Sequence, residues 1–241
     1  MTLRQGAERR RRPVVLVFGE SENDTGAIKR LTRALRPDLD ADVEVRRTPL
    51  VLIKGALPER AAENADEIAN VAKSAAKIRP VLAVLAHQDC DAVEPAHEEA
   101  AELIENGLRN AGCPGVPIAV TPAWETETWW MVFPEAVGAV VQGWREPDDW
   151  IGKDVGKVEK SKEKLASAVQ PRPKRKDKAP RAYRESDSIA IADNIATSGS
   201  LTSFEHDARV THASNGSARR TRCASFGRFR ARVLAISSRR G

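Results

Sequence analysis

The sequence predicts an α/β fold: a mainly parallel sheet of about four strands with helices on both faces. Three observations carry this. The runs Val14–Phe18 and Val81–Ala86 are apolar on both faces, as buried parallel strands are. Segments that follow them repeat apolar residues at helical spacing. The two kinds of segment alternate as β-α-β-α-β-α-β-α, and right-handed crossovers then place helices on both sides of the sheet.

The elements follow in order. Pro13–Phe18 is the first strand. Asp24 or Thr25 is expected to cap the helix whose apolar face holds Ala27, Ile28, Leu31, Ala34 and Leu35, and Pro37 ends it. Val43–Val45 and Pro49–Ile53 are strand material interrupted by Pro49. Pro58 starts a second helix with the stripe Ala61, Ala65, Ile68, Ala72 and Ala75, suited to close packing on a sheet. Val81–Ala86 is the clearest strand and runs into His87-Gln88-Asp89-Cys90-Asp91. Pro95 fits the first turn of a third helix with Ala100, Leu103, Ile104 and Leu108 on its apolar side. Val116–Val120 is a fourth strand, and a last helix is expected from Glu125.

The chain has 241 residues and a net charge of +5, enough for one good-sized domain and a smaller extra piece. Residues 1–12 form a basic tail, 13–165 the α/β domain and 166–182 a basic linker. Residues 183–241 are expected to be an extension, basic and largely disordered, because their apolar content is low and Ser, Arg and Gly are frequent. Basic ends on a balanced middle fit a polyanion such as nucleic acid, or solvated tails. The three cysteines have neither disulfide nor zinc spacing. The apolar run after Arg9–Arg12 is too short for a secretory or membrane segment, so a cytoplasmic protein is expected.

In an open parallel sheet the strand C-termini share one edge, where binding sites form. Glu20 ends the first strand, and Asp89 and Asp91 follow the third. In an extended segment residues i and i+2 point to one side. If the two strands are neighbours, three carboxylates converge. Such a cluster repels itself unless a cation sits in it, and oxygen-only ligands suit Mg²⁺ or Mn²⁺.

These residues resemble the Toprim domain of topoisomerases, primases, recombination proteins and overcoming-lysogenization-defect nucleases. The first Toprim motif is a strand ending in Glu-Gly; here the strand ends Phe18-Gly19-Glu20-Ser21, with Ser in place of Gly. Asp89-Cys90-Asp91 stands where that family carries its D-x-D. Together with Glu125-Thr126-Glu127-Thr128-Trp129 the pattern is similar to that of an uncharacterised bacterial Toprim-like family, over roughly residues 13–165. The resemblance implies a nuclease or related phosphotransferase acting on DNA or RNA, in a defence or repair module beside an ATPase partner. It implies metal held by Asp89 and Asp91, and Glu20 as general acid/base or further ligand. Glu125 and Glu127 would hold a second ion or shape the pocket. On a helix they diverge by about 200°, and Glu127 is favoured as the one facing the site. Glu22, Asp24 and Glu94 rank second.

Each residue also has a plainer role. Glu20 could face solvent in a loop, Asp89 and Asp91 could cap or turn, and Glu125 could start a helix. His87 is expected to be structural or exposed, Cys90 a small core residue, and Trp129 and Trp130 packing residues. The alternative function is a non-catalytic Toprim-like module that binds nucleic acid or a partner protein through its basic tail.

Overall fold

A computed structural model describes residues 12–46, 58–171, 180–204, 208–214 and 217–237. Four parallel strands, β1 (Val14–Phe18), β2 (Asp42–Val45), β3 (Val81–His87) and β4 (Val116–Val120), form one sheet in the order β2-β1-β3-β4. Of the strand material expected between the first two helices, Val43–Val45 falls in β2, and Pro49–Ile53 lies outside the described residues. Helices α1 (Glu22–Leu35), α2 (Pro58–Ala76) and α3 (Ala96–Asn110) make the crossovers. After β4 come the short helices α4 (Glu127–Trp130) and α5 (Pro134–Gly138), then α6 (Ser161–Ala168) and α7 (Ser188–Thr197). The chain continues as an antiparallel pair, β5 (Arg209–Ser214) with β6 (Ser217–Arg222), and ends its described part in α8 (Ala224–Leu234). Among the described residues no helix is long and apolar enough to cross a membrane.

Every residue of β1 is buried, because the strand is central and both of its faces are covered. Val14, Leu16 and Phe18 pack with Ala65, Ile68 and Ala72 of α2 and Ala101, Ile104 and Leu108 of α3. Val15 and Val17 belong to the opposite, larger core with Ala27, Ile28 and Leu31 of α1, Trp129 and Trp130 of α4 and residues of α5 to α8.

The helix starts show how local chemistry sets boundaries. Ser21, rather than the expected Asp24 or Thr25, caps α1: its hydroxyl oxygen accepts from the Asp24 N–H at 3.1 Å. The Ser21 hydroxyl in turn donates to the Asp24 carboxylate, which holds the capping side chain in place. In α3 the buried face is His97, Ala101, Ile104, Glu105 and Leu108, while Leu103 is 59% exposed. The face includes a buried carboxylate, which a count of apolar residues does not reveal.

That carboxylate closes the sheet. β4 is an edge strand. Glu105 Oε1 accepts from the Ala119 N–H at 3.2 Å, Arg228 donates to Ala119 O at 3.2 Å, and Arg232 donates to Pro117 O at 3.2 Å. Both arginines also reach Glu105 at 2.9 Å. The edge groups that would otherwise face solvent are thus satisfied by α3 and α8.

The stretch beyond residue 183 corrects the expectation of a largely disordered extension. Ile191, Ala192 and Ile195 of α7 and Phe226, Phe229 and Val233 of α8 are buried in the larger core. α7 lies against α1, where a Cβ on Gly26 would meet Ile189 Cδ1 at 2.8 Å and Arg30 pairs with Asp193 at 2.8 Å. Trp129 stacks on Phe229 with ring centroids 5.0 Å apart. Few apolar residues suffice because they recur at helical spacing and are large. The same core takes in Leu165 and Val169, so it continues across the boundary expected near residue 165.

Candidate functional site

β1 and β3 are hydrogen-bonded neighbours, with Phe18 opposite Ala86. Their C-terminal extensions therefore leave the sheet side by side. The Gln88 side-chain N–H donates to Glu20 Oε1 at 2.9 Å. Burial raises the Glu20 carboxyl above its ordinary range and the charge of Asp89 raises it further; the Gln88 bond and the charge of His87 oppose this. The turn into α1 requires glycine at residue 19: a Cβ there would stand 2.8 Å from Thr25 Cγ2 and 3.0 Å from His87 Cβ.

His87 ends β3 and is fully buried at the centre of these acids. Its Nε2 lies 3.2 Å from Thr126 Oγ1 in a hydrogen bond. Nε2 also lies 3.2 Å from Asp89 Oδ1, a charge contact off hydrogen-bond geometry, so that carboxylate oxygen is buried with no hydrogen-bond partner. Burial alone would lower the imidazole pKa, but Asp89, Asp24 and Glu20 outweigh it and raise it to about 9. The sequence predicts a structural or exposed histidine at 87, and the structure buries it beside the acids. Its importance comes from what surrounds it, which its own neighbours in sequence show only in part.

Glu127 lies in α4 and is buried. Burial pushes its carboxyl up to about 7, with Asp89 and Asp24 adding, against a hydrogen bond from Tyr183. Tyr183 Oη donates to Glu127 Oε1 at 2.9 Å. Glu127 thus shares an electrostatic neighbourhood with Asp89, and Asp24 joins it from the first turn of α1. Tyr183 belongs to the stretch that composition set aside as tail.

The other acids have different employment. Glu125 accepts from the Lys162 N–H at 3.1 Å and from Ser161 Oγ at 3.4 Å, so it fixes the first turn of α6. Asp91 has a left-handed backbone, φ 47°, and its N–H donates to Trp124 O at 2.9 Å. The extended geometry behind the same-side expectation for Asp89 and Asp91 does not continue through it. Glu22 stands in the first turn of α1, where the helix dipole favours acid. Glu94 is buried against Arg222 at 3.2 Å and accepts from the Ser225 N–H at 2.8 Å, anchoring the start of α8. The Cys90 thiol is pushed up to about 12 by burial and by Asp89, which keeps it protonated and poorly nucleophilic. Trp129 and Trp130 are fully buried, their ring N–H groups held by Ser225 and Ser188.

Among the described residues no group of three or more His, Cys, Asp or Glu side chains is arranged to hold a metal ion. The expected three-carboxylate set of Glu20, Asp89 and Asp91 is therefore not formed. What remains is a pair, Glu20 and Asp89, with one Asp89 oxygen lacking a donor. Two carboxylates fit a hard divalent ion that keeps most of its water. Three carboxyls, Glu20, Asp24 and Asp89, act on the His87 imidazole, while Glu127 shares Asp89 and Asp24 as neighbours and has the Lys162 ammonium near it. Clefts lined by Asp42, Arg46 and Arg79, and by Glu135, Glu146 and His212, involve none of these acids.

No protein-family model matches the chain, and neither a curated protein nor a solved structure matches it significantly.

Proposed function

We propose that the chain is a Toprim-like protein carrying out divalent-metal-dependent phosphoryl transfer on nucleic acid, as a nuclease. The observation that carries the reading is the pairing of Glu20 with Asp89 at the ends of adjacent parallel strands, in a cluster whose carboxyls outnumber its one imidazole. Gln88 occupies Glu20 Oε1, leaving the second oxygen for a proton or an ion. His87 holds Asp89 by charge, and Glu127 keeps a carboxyl that titrates near neutrality, the condition for moving a proton at working pH. A bound Mg²⁺ or Mn²⁺ would neutralise phosphate charge and position water or the leaving oxygen. An ATPase partner in trans belongs to the same proposal.

The test is cleavage of plasmid, single-stranded DNA and RNA with Mg²⁺ or Mn²⁺. Glu20→Gln and Asp89→Asn are expected to abolish cleavage; a variant as active as the parent overturns the reading.

A second reading, binding without turnover, is favoured by the absence of a three-ligand metal group among the described residues. Its contact surface would be β6, where Arg219 and Arg220 are exposed. It predicts salt-sensitive binding lost in Arg219→Ala/Arg220→Ala with no cleavage by the parent.

A further inference from the structure

We infer that Tyr183 is a positioning residue of the acid site, acting through Glu127; the inference rests on the proposed reaction only for what Glu127 acts upon. Tyr183 is the only tyrosine in the chain, and it is buried. Its hydroxyl lies 2.9 Å from Glu127 Oε1 and 3.1 Å from Ser188 Oγ. Ser188 Oγ also receives the Trp130 ring N–H at 3.3 Å.

The direction of this chain of bonds is fixed at one end. An indole N–H can only donate. Ser188 therefore accepts from Trp130 and is free to give its own proton to Tyr183 Oη. Tyr183 gives its proton to Glu127, so Glu127 Oε1 is committed as an acceptor and a proton on Glu127 must sit on the other oxygen. The hydrogen bond and the rigid ring together fix which carboxyl oxygen remains for chemistry. A leucine or phenylalanine at 183 would fill the same space and lose this selection.

The relay also joins parts of the chain that lie far apart in sequence. Trp130 and Glu127 are on α4, after the fourth strand, while Tyr183 and Ser188 enter from the segment before and at the start of α7. The charges of Asp24, on α1, and Asp89, after β3, also act on Glu127, and Lys162 of α6 interacts with it as a nearby cation. The site is thus completed by residues beyond the basic segment, and the acid-bearing strands alone do not complete it.

A single tyrosine makes the test direct. The full chain is labelled with carbon-13 at tyrosine Cζ, giving one signal. Glu127→Gln is expected to shift it, and Ser188→Ala, which leaves the carboxylate in place, to shift it as well. Mn²⁺ added alone is expected to broaden it. Tyr183→Phe is expected to lower kcat of metal-dependent cleavage by about 10- to 100-fold with KM little changed. A Cζ signal that neither Glu127→Gln nor Ser188→Ala moves in folded protein overturns the inference, as does unaltered turnover in Tyr183→Phe. A parent that neither cleaves nor binds Mn²⁺ overturns the phosphoryl-transfer reading instead; the Cζ shifts then decide the positioning role by themselves.

Discussion

The Gln88 amide and the Glu20 carboxylate meet at 2.9 Å and tie the loop after β3 to the loop after β1. The bond favours the charged form of Glu20 against burial and the repulsion of Asp89. Gln88→Leu should therefore raise the Glu20 pKa further, measured by carboxyl-carbon NMR titration. An unchanged or lower value would show that the amide does not govern this carboxylate.

His87 predicts the alkaline side of the stability curve. Its folded pKa, about 9, lies above the ordinary imidazole value, so the folded state binds the proton more tightly. The associated stability is fully present below the unfolded pKa and is lost as pH rises through the folded one. The difference corresponds to about 3 kcal/mol for a fully buried group. Urea denaturation of the parent should weaken between pH 6.5 and about 9, and His87→Gln should flatten that fall.

Glu127 acts in a lower window with the same sign. A buried acid with a raised pKa binds its proton more tightly when folded, so stability falls as pH rises from 4.5 to about 7. Glu127→Gln should remove this slope and leave the His87 window in place, which the same titration series resolves.

Glu105 supports the outer side of β4 through the Ala119 N–H and two arginines of α8. Glu105→Leu should cost about 2 kcal/mol in urea unfolding, since buried charge-assisted bonds are lost together. Arg109→Ala, which removes a half-exposed partner one helical turn away on the same helix, should cost about 0.5 kcal/mol or less.

Truncation before residue 183 tests the weight of the C-terminal stretch. It removes Tyr183, Ile191, Phe226, Phe229 and Val233 from the larger core. The shortened protein should lose cooperative thermal unfolding by circular dichroism; a two-state transition at the parent Tm would show that the strands and first helices fold without it.

The parallel sheet was legible because β1, β3 and β4 are short runs of buried Val, Ile, Leu and Ala, and such runs have few alternatives. Adjacency of Glu20 and Asp89 was legible only as a condition, that β1 and β3 be neighbours, and the strand order meets it. The role of Asp91 was not legible, since an extended pair and a left-handed turn read alike in sequence. The stretch from residue 183 is not legible from composition: arginines that look like a solvated tail are spent on Glu94, Asp154 and Glu105, partners some seventy to one hundred and thirty positions earlier. His87 and Tyr183 gain their meaning from tertiary neighbours, which local pattern does not encode.

The arginine cover on β4 has a temporal side. α8 follows every other described element, so during synthesis the backbone it shields stays bare until the helix has left the ribosome. In that interval Pro117 and Ala119 offer a template to any passing extended segment, including another nascent copy. Arg228 and Arg232 then act as the latch that ends this vulnerable period, and weakening them should reveal itself first as poor yield of soluble protein.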